Sequence, residues 1–257
     1  MTGSLIRGAF IMTLGVLLGL SGCAADMAAV QKRLEPHYRA LRPDGPGPFP
    51  AILLVPGCGG IVPARVKTAE ELRGRGYVVM FVDYLSARGL NTACRGEVSP
   101  DEVAQDILAA SAHVRSLPYV RPGAVGVVGW SLGGAGVLAS LIGSGKDAQP
   151  PFNAAAAFYP VCRGLQPWKS NVSVLVLLAG LDDIAPPALC DELVRSVGGS
   201  FPVEVRTYPE ARHSFDMSDL PATMPSRAFP GKTAGYHAEA ARQAWSEVLA
   251  QFNRQLR

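Results

Sequence analysis

The chain has 257 residues, 48% hydrophobic and 18% charged, so it can bury the core of one large or two small domains and is not a disordered chain. Its 24 Lys and Arg residues against 21 Asp and Glu give a formal charge of +3, without a long basic cluster. Nucleic-acid-binding proteins normally concentrate basic residues on one face, so no nucleic-acid partner is expected.

The first 22 residues have the pattern of an export signal. A lone arginine precedes an uncharged apolar stretch over residues 9–20, which is too short for a permanent membrane span but fits a signal-peptide core. The segment LSGC, which ends at Cys23, resembles the lipobox of bacterial lipoproteins, in which the cysteine is acylated. Together with Ala24, it implies a lipid-anchored protein that faces the periplasm, with the outer membrane as the default. An ordinary cleaved signal peptide is the alternative.

The rest of the chain alternates apolar runs with helical patterns. The predicted strands cover residues 51–55, 77–82, 124–128, 153–159, 172–178 and 203–208, and the first two are expected to be buried. The predicted helices cover residues 68–75, 99–117, 132–142, 187–197 and 233–256. This alternation predicts an α/β fold with a mostly parallel sheet and helices on both faces. Sites in such folds lie at the carboxyl ends of the strands.

Two of the predicted helices begin with capping signals. Thr68 and Glu71 have the spacing of a capping box. Ser99 is followed by Pro100 and Glu102, which combines an N-cap, an N1 proline and an acidic first turn.

A strand-to-helix turn carries the candidate nucleophile. The segment GWSLGG fits the pattern G-x-S-x-G, with Ser131 at its centre. A Cβ atom at Gly129 or Gly133 would collide with the neighbouring backbone in such a turn, so glycine is required at both positions. A glycine-rich turn could bind phosphate instead, but no lysine follows the glycines as in a P-loop.

A serine nucleophile needs a base and an acid that orients the base. His213 follows the last predicted strand, where it can reach Ser131, whereas the other three histidines lie in the N-terminal segment or in helices. Asp182 and Asp183 both follow the predicted strand over residues 172–178. Only one of them can face the histidine, because neighbouring side chains project in different directions. The chain order Ser, Asp, His is that of the α/β-hydrolases.

Two backbone N–H groups are candidates for an oxyanion hole. Leu132 follows the nucleophile directly. The loop PGCGG follows the first predicted buried strand, and its Cys58 is the expected second donor because Pro56 has no N–H. The glycines around Cys58 allow a close approach of the backbone.

From residue 43 onward the sequence resembles the dienelactone hydrolase family of the α/β-hydrolases. The matching blocks are PFPAILLVPGCGG, VVMFVDYLSARG, GVVGWSLGGAG, AAFYPVC, GLDDIAPPALC and YPEARHSF. The resemblance implies an α/β-hydrolase domain over residues 43–257, preceded by a tether and first-strand region over residues 23–42. It also implies hydrolysis of a small-molecule ester through Ser131, Asp183 and His213. The family spacing selects Asp183, with Asp182 as the fallback.

The sequence departs from the founding members of the family. They use a cysteine nucleophile and a glutamate where this chain has Ser131 and Gly57, so Ser131 must depend on His213, as in ordinary serine esterases. They also hold a substrate carboxylate with two arginines. Arg88 resembles one of these, but Met217 stands at the other position. A more general carboxylic ester is therefore expected as the substrate.

The remaining expectations concern the pocket, the metal content and the cysteines. Besides Arg88, the candidate pocket residues are the aromatic residues Tyr84, Trp130, Trp168 and Phe215, for each of which core packing is the alternative. No cluster has metal-ligand spacing, so neither metal nor cofactor is expected.

Exported relatives carry cysteines at similar places, which implies the disulfides Cys58–Cys94 and Cys162–Cys190, with buried free thiols as the alternative.

Three functions remain open from the sequence alone. The first is ester hydrolysis through an acyl-enzyme, and the second is thioester or peptide hydrolysis by the same triad. The third is a non-catalytic envelope lipoprotein that retains the fold for binding. A complete triad favours catalysis, because a binding module needs none of its three groups.

Overall fold

A computed structural model describes residues 27–142, 151–168, 172–197 and 203–257. The export-signal prediction and Cys23 lie outside the described residues. Within the described ranges, no helix combines the length and the apolar character that crossing a bilayer requires.

The described strands form one central sheet and one small hairpin. The central sheet contains β1 (Arg39–Leu41), β2 (Phe49–Val55), β3 (Val78–Phe81), β4 (Val120–Trp130), β5 (Ala154–Phe158), β6 (Ser173–Ala179) and β7 (Val203–Tyr208). Its spatial order is β1-β3-β2-β4-β5-β6-β7. β1 runs antiparallel to β3, and every other pair is parallel. The hairpin joins β8 (Met224–Pro225) to β9 (Thr233–Ala234).

Helices cover both faces of the sheet. They are α1 (described over 27–34), α2 (Pro63–Gly74), α3 (Pro100–Ser116), α4 (Leu132–Ala139), α5 (Pro187–Val197) and α6 (Ala238–Leu256). One apolar core lies between the sheet and α3, α4 and α5, and a second lies between the sheet and α2 and α6. Successive strand residues alternate between the two cores, as Val127 and Val128 do in β4. The predicted α/β fold with a mostly parallel sheet is confirmed.

Two helix starts differ from their predictions. α2 begins at Pro63, and Thr68 lies inside it with its hydroxyl donating to the carbonyl of Ala64. A proline at N1 suits the first turn, so the helix starts before the apparent capping box. α6 begins after His237, whose side chain accepts from the Ala240 N–H. The segment predicted as its first turn forms β9 instead.

The start of α3 and both disulfides agree with the sequence. The Ser99 side chain accepts from the Glu102 N–H, and the Glu102 carboxylate accepts from the Ser99 N–H. The Ser99 hydroxyl also donates to the Glu102 carboxylate at 2.8 Å. The hydrogen bonds from the Ser99 backbone N–H and then from its hydroxyl lower the pKa of Glu102. The predicted pairs Cys58–Cys94 and Cys162–Cys190 are confirmed.

Candidate active site

Ser131 occupies a strained turn between β4 and α4. Its backbone has φ 52° and ψ −115°, a conformation that a residue with a side chain adopts rarely. A Cβ atom on Gly133 would overlap the carbonyl of Val55 in the neighbouring strand, and one on Gly129 would overlap the carbonyl of Gly133. Gly133 is therefore needed where the turn approaches the end of β2, and Gly129 where it approaches the start of α4.

Three side chains from the ends of β4, β6 and β7 meet at this turn. His213 Nε2 lies 3.1 Å from Ser131 Oγ, and His213 Nδ1 lies 2.7 Å from Asp182 Oδ2. All three residues are buried. With the Nδ1 proton donated to the carboxylate, Nε2 is free to accept the serine proton. The arrangement can thus transfer a proton away from the hydroxyl.

The structure corrects the assignment of the acid. Asp182, and not Asp183, hydrogen-bonds to His213. One oxygen of Asp182 accepts the N–H groups of residues 184–185, which leaves the other oxygen facing the imidazole. The Asp183 carboxylate points to the other side of the turn and accepts from the Thr233 N–H at 3.0 Å. The residue that contacts His213 is therefore one position before the residue that the family spacing selected.

The Gly57–Cys58 peptide lies beside the nucleophile. A Cβ atom added to Gly57 would be 3.4 Å from that of Ser131. The Gly57 carbonyl accepts the Tyr84 hydroxyl at 2.9 Å and the Gly60 N–H at 3.0 Å. The C=O and N–H groups of a trans peptide point in opposite directions. The Cys58 N–H, which belongs to the same peptide as the Gly57 carbonyl, is therefore turned away from the Tyr84 and Gly60 donors.

Leu132 offers a second backbone donor beside the nucleophile. It is the first residue of α4, so its N–H has no partner inside the helix. The Ser131 N–H donates to the Phe158 carbonyl at 3.0 Å and is already occupied. Of the two amides at the nucleophile, the one at Leu132 is thus available to a ligand.

A cavity of about 210 Å³ opens onto Ser131 and His213. Most of its wall is apolar, with contributions from Val62, Trp130, Ile184, Met217, Ala228, Phe229 and Ala234. The Cys58–Cys94 disulfide forms another part of the wall. The loops after β2 and β7 therefore enclose most of the space where a substrate can bind.

The structure brings only one of the predicted pocket residues to the cavity wall. Trp130 lines the cavity, whereas Tyr84, Trp168 and Phe215 are buried in the two cores. The Arg88 guanidinium hydrogen-bonds to Asp106 on α3 and to the Tyr84 carbonyl. Asp106 is fully buried and binds Arg33 through its other carboxylate oxygen at 2.8 Å, so two arginines share this carboxylate and Arg88 is directed away from the cavity.

A buried ion pair that the sequence analysis did not identify lies beneath the cavity. The Arg65 guanidinium binds both carboxylate oxygens of Asp216, at 2.6 and 3.1 Å. The Trp130 indole N–H and the Tyr159 hydroxyl also donate to Asp216, and the Tyr159 ring contacts the His213 ring at 4.6 Å between centroids. Arg65 and Asp216 are 151 positions apart, so no spacing pattern in the sequence connects them.

Opposing effects set the protonation of this pair. Burial alone raises the pKa of Asp216, but the Arg65 charge and the three donors outweigh it and hold the net pKa below its ordinary value. Burial alone lowers the pKa of Arg65, and the Asp216 charge reverses this effect. Burial raises the pKa of Tyr159 well above its usual value. The pair is therefore ionised, and its charges compensate each other.

Comparison with known proteins agrees with this architecture. Residues 38–256 match the sequence model of the Dienelactone hydrolase family. The chain belongs to the dienelactone hydrolase family. In the part of this family member that the structure describes, no group of three or more His, Cys, Asp or Glu side chains could hold a metal ion.

Individual relatives of this family member are distant in sequence. A putative carboxymethylenebutenolidase of Synechocystis sp. is 24% identical over 240 residues, which cover 82% of this chain and 88% of that protein. The crystal structure of a putative dienelactone hydrolase from Klebsiella pneumoniae has a TM-score of 0.68 at 19% identity and covers 84% of this chain and 92% of its own. A dienelactone hydrolase-like promiscuous phosphotriesterase, P91 from metagenomic libraries, gives 0.64 at 19% identity and 86% and 99% coverage. These two structures share the fold.

Proposed function

We propose that this dienelactone hydrolase family member is a serine hydrolase that cleaves carboxylic esters through an acyl-enzyme. The observation that carries the proposal is the unbroken chain from Ser131 Oγ through His213 to Asp182, with distances of 3.1 and 2.7 Å. Ser131 is the nucleophile, His213 the general base and Asp182 the group that orients the base.

The geometry supports the following mechanism. His213 Nε2 takes the hydroxyl proton as Ser131 Oγ attacks the ester carbonyl carbon, and the N–H groups of Leu132 and Cys58 stabilise the oxyanion that forms. His213 then gives its proton to the departing alcohol, which leaves the acyl group on the serine. A water molecule activated by His213 attacks this acyl-enzyme and releases the acid. Loss of one oxyanion donor typically lowers kcat by about 10²–10³-fold.

The cavity favours esters with a short, uncharged acyl group. At about 210 Å³ it is smaller than a typical ligand pocket of roughly 300–1,000 Å³. Arg65, the arginine among its described lining residues, is already neutralised by Asp216. Arg88 is engaged by Asp106, and Met217 offers no charge. A substrate carboxylate would therefore find no free cation among the described residues of the cavity wall.

Covalent labelling of the folded protein tests this function. We expect a fluorophosphonate probe to modify Ser131 stoichiometrically, because only an activated serine attacks it, and we expect no labelling of Ser131→Ala. The wild type should hydrolyse p-nitrophenyl acetate and butyrate faster than the octanoate. A folded wild type that is neither labelled nor active would support a binding role instead. Turnover restricted to thioesters or peptides would contradict the ester assignment.

We also propose that the mature chain is attached to the periplasmic side of the envelope through Cys23. The lipobox-like segment LSGC supports this location. Cells expressing the protein and fed an alkynyl fatty acid should incorporate the probe into the wild type and not into Cys23→Ala. Incorporation that survives this substitution would exclude acylation at Cys23.

A further inference from the structure

Cys58 is held by two hydrogen bonds to its carbonyl and by a disulfide. Its carbonyl accepts the Ala93 N–H at 2.8 Å and the Thr92 hydroxyl at 3.2 Å. Its side chain forms the disulfide with Cys94, in the same segment as these two donors. The preceding carbonyl is bound by Tyr84, as described above. Cys58 is therefore anchored on the side that faces residues 92–94.

The residues that flank Cys58 contribute little rigidity of their own. Gly57 precedes it and Gly59 and Gly60 follow it, and Gly60 has a φ of +75°. Glycines gain more conformational freedom than other residues when their contacts are lost. A Cβ atom on Gly59 would meet no atom within 4 Å, so no neighbour packs tightly there. The cross-link to Cys94 thus adds a covalent constraint to the hydrogen bonds that hold the Gly57 and Cys58 carbonyls.

The two disulfides of the chain have different surroundings. Cys162 and Cys190 are buried in the core beneath α5, at 6% and 1% exposure. Cys58 and Cys94 are only half-buried and form part of the cavity wall, on the same cavity as Ser131. Only the first bridge along the chain therefore connects directly to the site.

We propose that the Cys58–Cys94 disulfide positions the Cys58 N–H for the oxyanion, so that ester hydrolysis depends on the oxidised bridge. Cys94 is a positioning residue in this proposal, because it acts through Cys58 and does not itself contact the reacting atoms. The proposal rests on the serine hydrolase function given above.

The place of the Cys58–Cys94 bridge on the cavity wall makes it accessible to a reducing agent. A thiolate of a small dithiol attacks one sulfur, forms a mixed disulfide and releases the other cysteine as a thiolate. The second thiol of the reagent then displaces the first cysteine and closes an intramolecular disulfide. The protein gains two electrons and two protons as two cysteine thiols, and the dithiol is oxidised. The buried Cys162–Cys190 bridge should react more slowly, because the reagent cannot reach it in the folded protein.

Two sets of variants test the proposal. Cys94→Ala and the double variant C58A/C94A keep the residue 58 N–H but remove the bridge, and C162A/C190A is the matched control that removes the other bridge. We expect kcat for p-nitrophenyl acetate to fall by about 10–100-fold in the first set, less than the loss of a donor altogether, with KM within about two-fold of the wild type. Affinity for an alkylboronic acid, which forms a tetrahedral adduct with the serine, should fall by the same factor. The control should keep kcat within about two-fold.

Brief treatment of the wild type with dithiothreitol gives the same test without a substitution. Activity should fall as the Cys58 and Cys94 thiols appear by mass spectrometry, and it should return on reoxidation while circular dichroism stays unchanged. A reduced but folded protein with full kcat would overturn the proposal, and so would variants in which only KM changes or a control that loses as much kcat. A wild type that no fluorophosphonate labels would show instead that the hydrolase function itself is wrong.

Discussion

Asp182 and Asp183 are neighbours of the same chemical type in different surroundings, and exchanging each carboxylate for an amide separates their roles. Asp182→Asn should lower kcat by about 10³–10⁴-fold, because an amide facing Nδ1 favours the imidazole tautomer that cannot accept the serine proton. Asp183→Asn keeps an oxygen for the Thr233 N–H and should change kcat by only a few-fold. Steady-state rates with p-nitrophenyl acetate measure both effects. A larger loss in Asp183→Asn would restore the assignment made from family spacing.

The same pair shows how far single residues could be assigned from the sequence. Ser131 follows an apolar strand and His213 follows the last predicted strand, so their places at the carboxyl edge of the sheet could be predicted. The choice between the two aspartates depends on a turn in which Asp182 accepts two N–H groups of residues 184–185. No spacing rule describes that turn. The prediction therefore relied on the family spacing, which selected Asp183, whereas Asp182 is the residue that hydrogen-bonds to His213.

Arg88 shows a second limit of predicting single residues from the sequence. The family resemblance predicted that Arg88 binds a substrate carboxylate, but the fold places the buried Asp106 next to it. Asp106 binds Arg33 through one carboxylate oxygen and Arg88 through the other, so the Arg88 guanidinium is not available to the cavity. The partner lies on another helix, and its burial could not be deduced from the local sequence.

At the scale of elements, strands were easier to predict than helix starts. Buried parallel strands favour continuous apolar runs, and all six predicted strands correspond to strands of the central sheet. The last of them, β7, lies at the sheet edge and is largely solvent-accessible, which agrees with its mixed sequence VEVRTY. The starts of α2 and α6 were misplaced because capping by Pro63 and His237 competes with other local signals. The two-residue strand β9 was included in the predicted helix because its pairing with β8 depends on a distant segment.

The Arg65–Asp216 pair acts between elements. Arg65 belongs to α2, which follows the Cys58 loop, and Asp216 lies in the loop that carries His213. Trp130 ends β4 directly before the nucleophile, and Tyr159 directly follows β5. Through these hydrogen bonds one buried carboxylate joins the segments that carry the proposed oxyanion donor, the nucleophile and the base. Only the folded arrangement of strand ends reveals this connection.

For the whole molecule, the sequence was sufficient to predict the class of fold and the side of the sheet that carries the site. Alternation of strands and helices predicts a parallel sheet, and right-handed crossovers place helices on both faces where the direction of the strand order reverses, as it does between β3 and β4. Polar contacts between remote segments could not be predicted, since they follow from packing and not from local pattern. The cavity shape and the ion pair beneath it belong to this second group.

The ion pair also gives the folded molecule a specific response to acid. The pKa of Asp216 is lowered in the folded state, so its ionisation contributes stability above its unfolded value of about 4, and this stability is lost as the pH falls through the folded value. In Arg65→Met/Asp216→Asn no group titrates at this site. The free energy of unfolding, measured by urea denaturation between neutral pH and pH values below about 4, should therefore fall less steeply in the double variant than in the wild type.

Near neutral pH, the single variant Asp216→Asn should lose about 3–5 kcal/mol of its free energy of unfolding, because it leaves the Arg65 charge buried without a partner, and the double variant should lose less. Equal losses in the two variants, or equal slopes below about pH 4, would show that the pair does not control this response.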